Sequence, residues 1–195
     1  MKAKMIIKIF LLVAFIATSC NKDDEKDEQD CVKEENFFEA QFDDETIEPR
    51  WITGGGVSAY TLYVNRNNED KNDWEISLTS NNRISLNFSL INVDEPGIYT
   101  IDAASSNEIP PVPFMFSTTY IYIEKIIGDS TIYYFSREGS GNIEITEYNS
   151  EKGILIGTFS CDLYSSVNPQ MIKPIAGTFN INLSTLNIDE RPCWL

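Results

Sequence analysis

The side chain best placed to do chemistry in this 195-residue sequence is the thiol of Cys20. Three lysines (Lys2, Lys4, Lys8), an apolar run from Ile9 to Ala17 and the small pair Thr18-Ser19 precede it, and the polar tract 21–30 follows. A basic start, a short apolar segment and a small-residue exit have the order of a secretory signal. A cysteine at the exit changes its meaning, because a thiol is a nucleophile that can accept a lipid as a thioether. The apolar segment itself falls short of the about 20 residues that a membrane-spanning helix needs. Other chemistry is thin. Histidine is absent, which removes the commonest general base and metal ligand and forbids Ser-His-Asp and Cys-His arrangements within one chain. Paired carboxylates remain formally available for hydrolysis, but no catalytic motif is present. The expectation is a non-enzymatic protein with no catalytic residues, no metal site and no cofactor.

Ala17-Thr18-Ser19-Cys20 resembles the lipobox of a bacterial lipoprotein signal. That resemblance implies removal of residues 1–19, a diacylglyceryl group on the Cys20 sulfur and usually a third acyl chain on the new amino terminus. More than one chain is needed, since a single acyl group binds a bilayer only marginally. The processed chain would carry twelve basic against thirty acidic residues, a formal charge of −18. Such a balance argues against nucleic acid, which attracts basic proteins by releasing counterions. It argues equally against adsorption on anionic lipid, so the membrane is reached through the lipid anchor. Residues 20–35 read as a flexible acidic tether, with eight acids against three lysines over 21–35. A tract of that kind buries too little apolar area to offset its ordering entropy. Lys22-Asp23-Asp24-Glu25 is similar to the acidic export signal of Bacteroidota surface lipoproteins, which implies an outer-membrane anchor with the domain exposed on the cell surface.

Positioning anything beyond the tether falls to residues 36–195, where the apolar pattern has period two rather than 3.6. Phe38, Ala40 and Phe42 alternate before Asp43-Asp44-Glu45; Leu62 and Val64 precede a polar turn over 65–73; Trp74, Ile76 and Leu78 lead to a tight turn at Asn81-Asn82. Ile84, Leu86, Phe88 and Leu90 line one face, with Ser85, Asn87 and Ser89 on the other. Pro96-Gly97 opens a short strand around Tyr99 and Ile101, residues 120–127 and 131–135 are β-rich on both faces, and Gly139-Ser140-Gly141 turns into Ile143 and Ile145. The fold class is therefore all-β: one antiparallel β-sandwich or flattened barrel of about eight to ten strands.

The sequence echoes itself twenty residues apart. Residues 154–163, ILIGTFSCDL, reappear at 174–183 as PIAGTFNINL. Leu155, Phe159, Cys161 and Leu163, with Ile175, Phe179, Ile181 and Leu183, are expected to face the core, and the intervening polar residues water. Gly157 and Gly177 fall on the inner face, where glycine marks a bulge or bend. Two copies read as two similar strands of one sheet. Pro96-Gly97-Ile98-Tyr99-Thr100, 141–146 (GNIEIT), Gly157-Thr158-Phe159 and Gly177-Thr178-Phe179 together resemble lipoproteins of Bacteroidota that carry a small all-β domain of unknown function. The opening 38–42 (FEAQF) and Trp51 fit too, although Asp43-Asp44-Glu45 replaces the usual Asn-Gly or Asp-Gly turn. These are strand and turn signatures; they imply a fold and transfer no catalytic residue.

With Cys20 lipidated, Cys31, Cys161 and Cys193 remain. Cys161 sits in the apolar alternation as a small hydrophobe. Cys31 and Cys193 stand at the two ends of the domain, which are often close in space, and a disulfide between them would add roughly 4 to 5 kcal/mol by the chain-entropy argument. Asp129-Ser130-Thr131 is similar to the O-glycosylation signal of Bacteroidota exported proteins, which makes Ser130 a modification candidate. Residues 109–116, apolar and stiffened by Pro110, Pro111 and Pro113, either fold over one end of the core or form a partner-binding patch. Oxygen-rich 65–73 hints at calcium but lacks the glycine and distal glutamate of an EF-hand and reads as a solvated turn. The functional expectation is an envelope-anchored binding or accessory module for a glycan, another nutrient or a partner protein; the alternative is a structural or adhesive envelope component without a small-molecule ligand.

Overall fold

Alternation of apolar and polar side chains is carried through into strands almost residue for residue. A computed structural model describes residues 34–68, 72–104 and 118–195, and among these it contains thirteen strands and no helix. The first seven are β1 (Phe37–Phe42), β2 (Glu45–Ile47), β3 (Trp51–Gly54), β4 (Val57–Tyr60), β5 (Leu62–Asn68), β6 (Asp73–Thr79) and β7 (Ile84–Leu90). They are followed by β8 (Gly97–Ile101), β9 (Tyr120–Ile127), β10 (Ser130–Phe135), β11 (Gly141–Asn149), β12 (Ile154–Ser165) and β13 (Ile172–Asn182). Eleven of these strands form one antiparallel sheet, and β3 and β4 make a separate hairpin. The strand count exceeds eight to ten because the short pieces β2, β3 and β4 are too brief to show an alternating pattern.

The sheet is curled into two leaves. One holds β2, β1, β13, β12, β11 and β8; the other holds β10, β9, β7, β6 and β5. They join where β12 meets β10 through only two facing pairs, Tyr134 with Ser165 and Phe135 with Tyr164. Between the leaves lies the core. Phe38, Phe159 and Phe179 of the first leaf surround Phe88 of the second, and all six pairs among these rings have centroids 5.1 to 6.5 Å apart. Edge-to-face and offset contacts of this kind add to the area term of burial, each by about 0.5–1.5 kcal/mol. Phe42 meets Tyr134 edge-on at 5.0 Å, and Trp74 meets Tyr148 at 6.3 Å, closing the core at its two ends.

The echoed segments are β12 and β13, hydrogen-bonded neighbours whose register places Gly157 opposite Phe179 and Phe159 opposite Gly177. Their alternation is as expected: Leu155, Phe159, Cys161, Leu163, Ile175, Phe179 and Ile181 are buried, and Leu183 is half-buried. The bulge or bend expected at these glycines is not a break between the echoed strands. The β12–β13 ladder runs unbroken past both; a bulge does occur beside Gly157, but in β11, between Ile145 and Glu147. What the glycines provide is close approach, of a neighbouring strand and of a ring. A Cβ on Gly157 would press first on the Glu144 carbonyl oxygen of β11 and lie 2.9 Å from the Phe179 ring. One on Gly177 would press first on the Glu39 carbonyl oxygen of β1 and lie 2.7 Å from the Phe159 ring and 2.8 Å from the Ala40 methyl.

A charged clasp ties the leaves together at one end. The β1–β2 turn is the two-residue loop Asp43-Asp44, with both residues at positive φ (54° and 62°), as a type I′ hairpin requires. It presents Asp43 and Glu45 to Lys125 on β9, at 3.5 and 2.8 Å, and Asp43 also to Lys173 on β13. The hydrogen bond and charge of Lys173, with the charge of Lys125, hold the Asp43 carboxyl below its ordinary value against partial desolvation. Lys125 is itself partly buried, which would lower its pKa, but Glu45 and Asp43 outweigh that and raise it.

Gly177→Ala is expected to lower the unfolding free energy by about 1–3 kcal/mol, the usual range for overpacking a filled core, whereas Gly54→Ala, with open space around its Cβ, leaves the urea midpoint nearly unchanged. Equal midpoints for the two variants would contradict close packing of strand and ring over Gly177. The clasp gives a pH-dependent counterpart. Because folding depresses the Asp43 pKa, its contribution is present above the unfolded value of 3.8 and lost as pH falls through the lower folded value. Urea titrations should therefore show wild type ahead of Asp43→Asn at pH 6 and the gap closing by about pH 2.

Candidate functional site

Alternation along β5, β6 and β7 sends every second side chain to the outer face of the second leaf. Cross-strand register lines these up in rungs, one of them running Tyr63, Ser77, Asn87, Tyr122 and Phe135. The rung changes character along its length. Tyr63 is 52% exposed, Ser77 and Asn87 are half-buried, and Tyr122 is buried. Beyond Asn87 the outer face carries a small core of its own, made of Ala104, Tyr120 and Tyr122 with Phe135 against them. Burial pushes the Tyr122 phenol up to about 12, with lesser contributions from neighbouring phenols and carboxylates. The face carrying Ser85, Asn87 and Ser89 is thus only partly open to water, and Ser89 is fully covered.

The exposed end of this face is a groove of about 470 Å³. Tyr63, Ser77, Thr79, Ser85 and Asn87 line it from three adjacent strands, with Ile188 from the carboxyl-terminal segment. No charged side chain lines it, in a chain whose formal charge is −15. Some of its hydroxyls are already committed: Thr61 Oγ1 accepts from the Arg50 amide and donates to the Thr79 carbonyl, and Thr79 and Ser85 share a hydrogen bond of 3.2 Å. The Tyr63 hydroxyl, the Ser77 hydroxyl and the Asn87 amide make no hydrogen bond to another described residue. An aromatic face, an amide and two hydroxyls in line can stack against and hydrogen-bond a flat polar ligand.

A second concavity of about 340 Å³ lies where the domain begins and ends. Trp194 stands edge-on to Tyr60 at 5.8 Å, the Tyr60 hydroxyl donates to the Asn36 carbonyl, and the Tyr60 amide donates to the Ile188 carbonyl. Several of its polar groups bond one another. Thr185 Oγ1 donates to the Glu35 carboxylate at 2.8 Å and Asn36 Nδ2 donates to Thr185 Oγ1 at 2.9 Å, so this corner is a closure of the domain rather than a receptor. Glu34 and Glu35, placed at the end of the tether, are already hydrogen-bonded to Asn180 and Asn182 of β13.

The residues singled out from the sequence are scattered. Cys20, Cys31 and 109–116 lie outside the described residues. Ser130 is exposed where a two-residue turn, Gly128-Asp129, joins β9 to β10. Of the oxygen-rich segment, 69–71 lie outside the described residues. Asn72 Oδ1 accepts from Arg66, and Asp73 Oδ1 accepts from the Asn92 amide; among the described residues no group of three His, Cys, Asp or Glu side chains is gathered to hold a metal. β5 runs on to Asn68, consuming half of what read as a turn. Cys161 is a free, buried thiol beside Ser140 Oγ at 3.2 Å, and burial pushes its pKa to about 11 against that hydrogen bond. Cys193 is disulfide-bonded. The groove itself escaped the sequence reading, and so did the β3–β4 hairpin, although Gly55-Gly56 between two strand-forming runs is a type I′ turn signal, borne out by positive φ at both.

Non-reducing peptide mapping should recover Cys31 joined to Cys193, with Cys161 alkylated by iodoacetamide at pH 8 only after unfolding, because a protonated buried thiol is a poor nucleophile. A peptide joining Cys161 to either of the others would overturn this assignment. No protein-family model, curated protein sequence or solved structure matches the chain.

Proposed function

We propose that this chain is an outer-membrane lipoprotein of Bacteroidota type, held by lipid on Cys20 and displayed at the cell surface, whose β-domain is a non-catalytic module that binds a glycan nutrient or a partner protein. The observation that carries this reading is the order of lysines, short apolar run, Ala17-Thr18-Ser19-Cys20 and acidic tract. A thioether at that cysteine gives a soluble, strongly acidic domain the membrane affinity that its surface lacks. Support for a binding role comes from the uncharged groove at Tyr63, where the polar groups of Tyr63, Ser77 and Asn87 make no hydrogen bond to another described residue.

The structural or adhesive reading has its own support at the opposite end of the first leaf from the point where the chain enters it. Phe37 pairs with Asn180 at one end of β13, while Ile172 begins the other. Around that far end, Val167, Met171 and Ile172 are exposed at the β12–β13 turn, and Ile126 and Ile127 at the β9–β10 turn. Exposed aliphatics concentrated on two neighbouring turns favour a protein partner.

Metabolic labelling with palmitate in a bacterial host that processes lipoproteins is expected to mark the wild-type chain and not Cys20→Ser, with intact mass spectrometry showing residues 1–19 removed and the acyl groups present. An unacylated amino terminus, or retention of residues 1–19, would remove the basis of the proposal.

A further inference from the structure

We infer that the groove at Tyr63 is a subsite for a neutral oligosaccharide, stacked on the Tyr63 ring and hydrogen-bonded by Ser77 and Asn87. The inference deepens the binding-module reading by naming the ligand class and the residues that take it.

Four observations converge on it. The first is the ring. Tyr63 is an aromatic residue on the outer face of β5, at the edge of the sheet, and it is 52% exposed. Exposed tyrosine offers a rigid apolar face with a polar tip at low entropic cost, the combination suited to a ligand that is apolar on its faces and polar at its rim. Sugar rings have that character, with C–H groups on the face and hydroxyls around the edge. The second observation is the pair of neighbours. Register puts Ser77 beside Tyr63 and Asn87 beside Ser77, so the three side chains form a straight polar track across β5, β6 and β7. Adjacent strands stand about 4.8 Å apart, which brings a hydroxyl and an amide within the reach of successive hydroxyls of one or two sugar units.

The third observation concerns hydrogen bonds. Thr61, Thr79 and Ser85 spend their hydroxyls inside the fold. The hydroxyls of Tyr63 and Ser77 and the amide of Asn87 make no hydrogen bond to another described residue, and Ser77 and Asn87 are half-buried. Partly desolvated groups with no internal partner are the ones a ligand can satisfy at a gain. Asn87 matters most here, because its amide offers two donors and an acceptor together, matching the paired donor and acceptor character of vicinal hydroxyls. The fourth is charge. No acid, lysine or arginine lines the groove, so nothing there would pair with a carboxylate, sulfate or phosphate. The field of a chain with net charge −15 also repels polyanions. A nucleotide, an acidic polysaccharide and an acidic peptide are all poor fits to such a site; a neutral glycan is not.

The test uses the full chain, purified in a detergent without a sugar headgroup. Its binding to maltohexaose, cellohexaose, mannohexaose and chitohexaose is compared with binding to oligogalacturonate and chondroitin sulfate oligosaccharides, by array and then by calorimetry. At least one neutral oligosaccharide should bind, with the acidic set weaker throughout. Tyr63→Ala should weaken that binding about tenfold or more, and Asn87→Ala roughly three- to tenfold, as expected for loss of one or two hydrogen bonds. Tyr63→Phe and Tyr63→Trp, which keep an aromatic face, should retain most of the affinity. Circular dichroism melts on every variant separate loss of the site from loss of the fold. A preference for acidic oligosaccharides, neutral binding that survives Tyr63→Ala, or no binding to any member of the panel would each overturn the inference. None of those results touches acylation of Cys20, so the anchoring reading stands or falls separately on its palmitate test.

Discussion

The contact on which the rest of the structure depends is the meeting of four phenylalanine rings between the two leaves, Phe38, Phe88, Phe159 and Phe179. Two leaves joined by two facing pairs at β10 and β12 have little backbone holding them closed, so closure rests on side chains. The rings come from β1, β7, β12 and β13, and each must enter a space that its neighbours leave empty. Gly157 and Gly177 leave it. The echo in the sequence therefore has a mechanical meaning: antiparallel pairing of two Gly-Thr-Phe segments sets each glycine under the other strand's ring, so one motif used twice makes both the knob and the hole.

Much of this was legible beforehand. Strict alternation in Phe38–Phe42, Trp74–Leu78 and Ile84–Leu90 fixed which side chains are buried, because a one-residue slip would have turned all of them outward. The β-rich run 120–127 is strand β9, covered on both sides only over its first half, with Ile121 and Ile123 in the main core and Tyr120 and Tyr122 in the outer one. What could not be read was pairing between distant strands. Nothing local to Phe37 names Asn180 as its partner, and nothing in β12 says that one end will pair with β11 while the other pairs with β10. The glycines were placed on the correct face, but a Gly that admits a ring and a Gly that admits a bulge look alike in sequence.

The candidate site was illegible for a related reason. Tyr63, Ser77 and Asn87 are 14 and 10 residues apart and belong to no motif; only the register of β5 on β6 and β6 on β7 lines them up. Read singly, Tyr63 is a strand former and Asn87 a polar residue on a wet face. The neutrality of the groove is visible only once its lining is known. Tyrosine type alone does not mark the site, since several tyrosines serve as structure: Tyr134 and Tyr60 pack against other rings, and Tyr120 and Tyr122 are covered.

Pairing of the opening strand with the closing one, Phe37–Phe42 on Ile175–Asn180, has a consequence for how the molecule comes into being. A ribosome releases β1 well before β13, and until β13 arrives two of the four central rings, Phe38 and Phe179, cannot meet. Loop-closure entropy over so many residues makes such a topology slow to form. The local hairpins can form as they are made, but the two leaves cannot close over the central rings until β13 has joined β1.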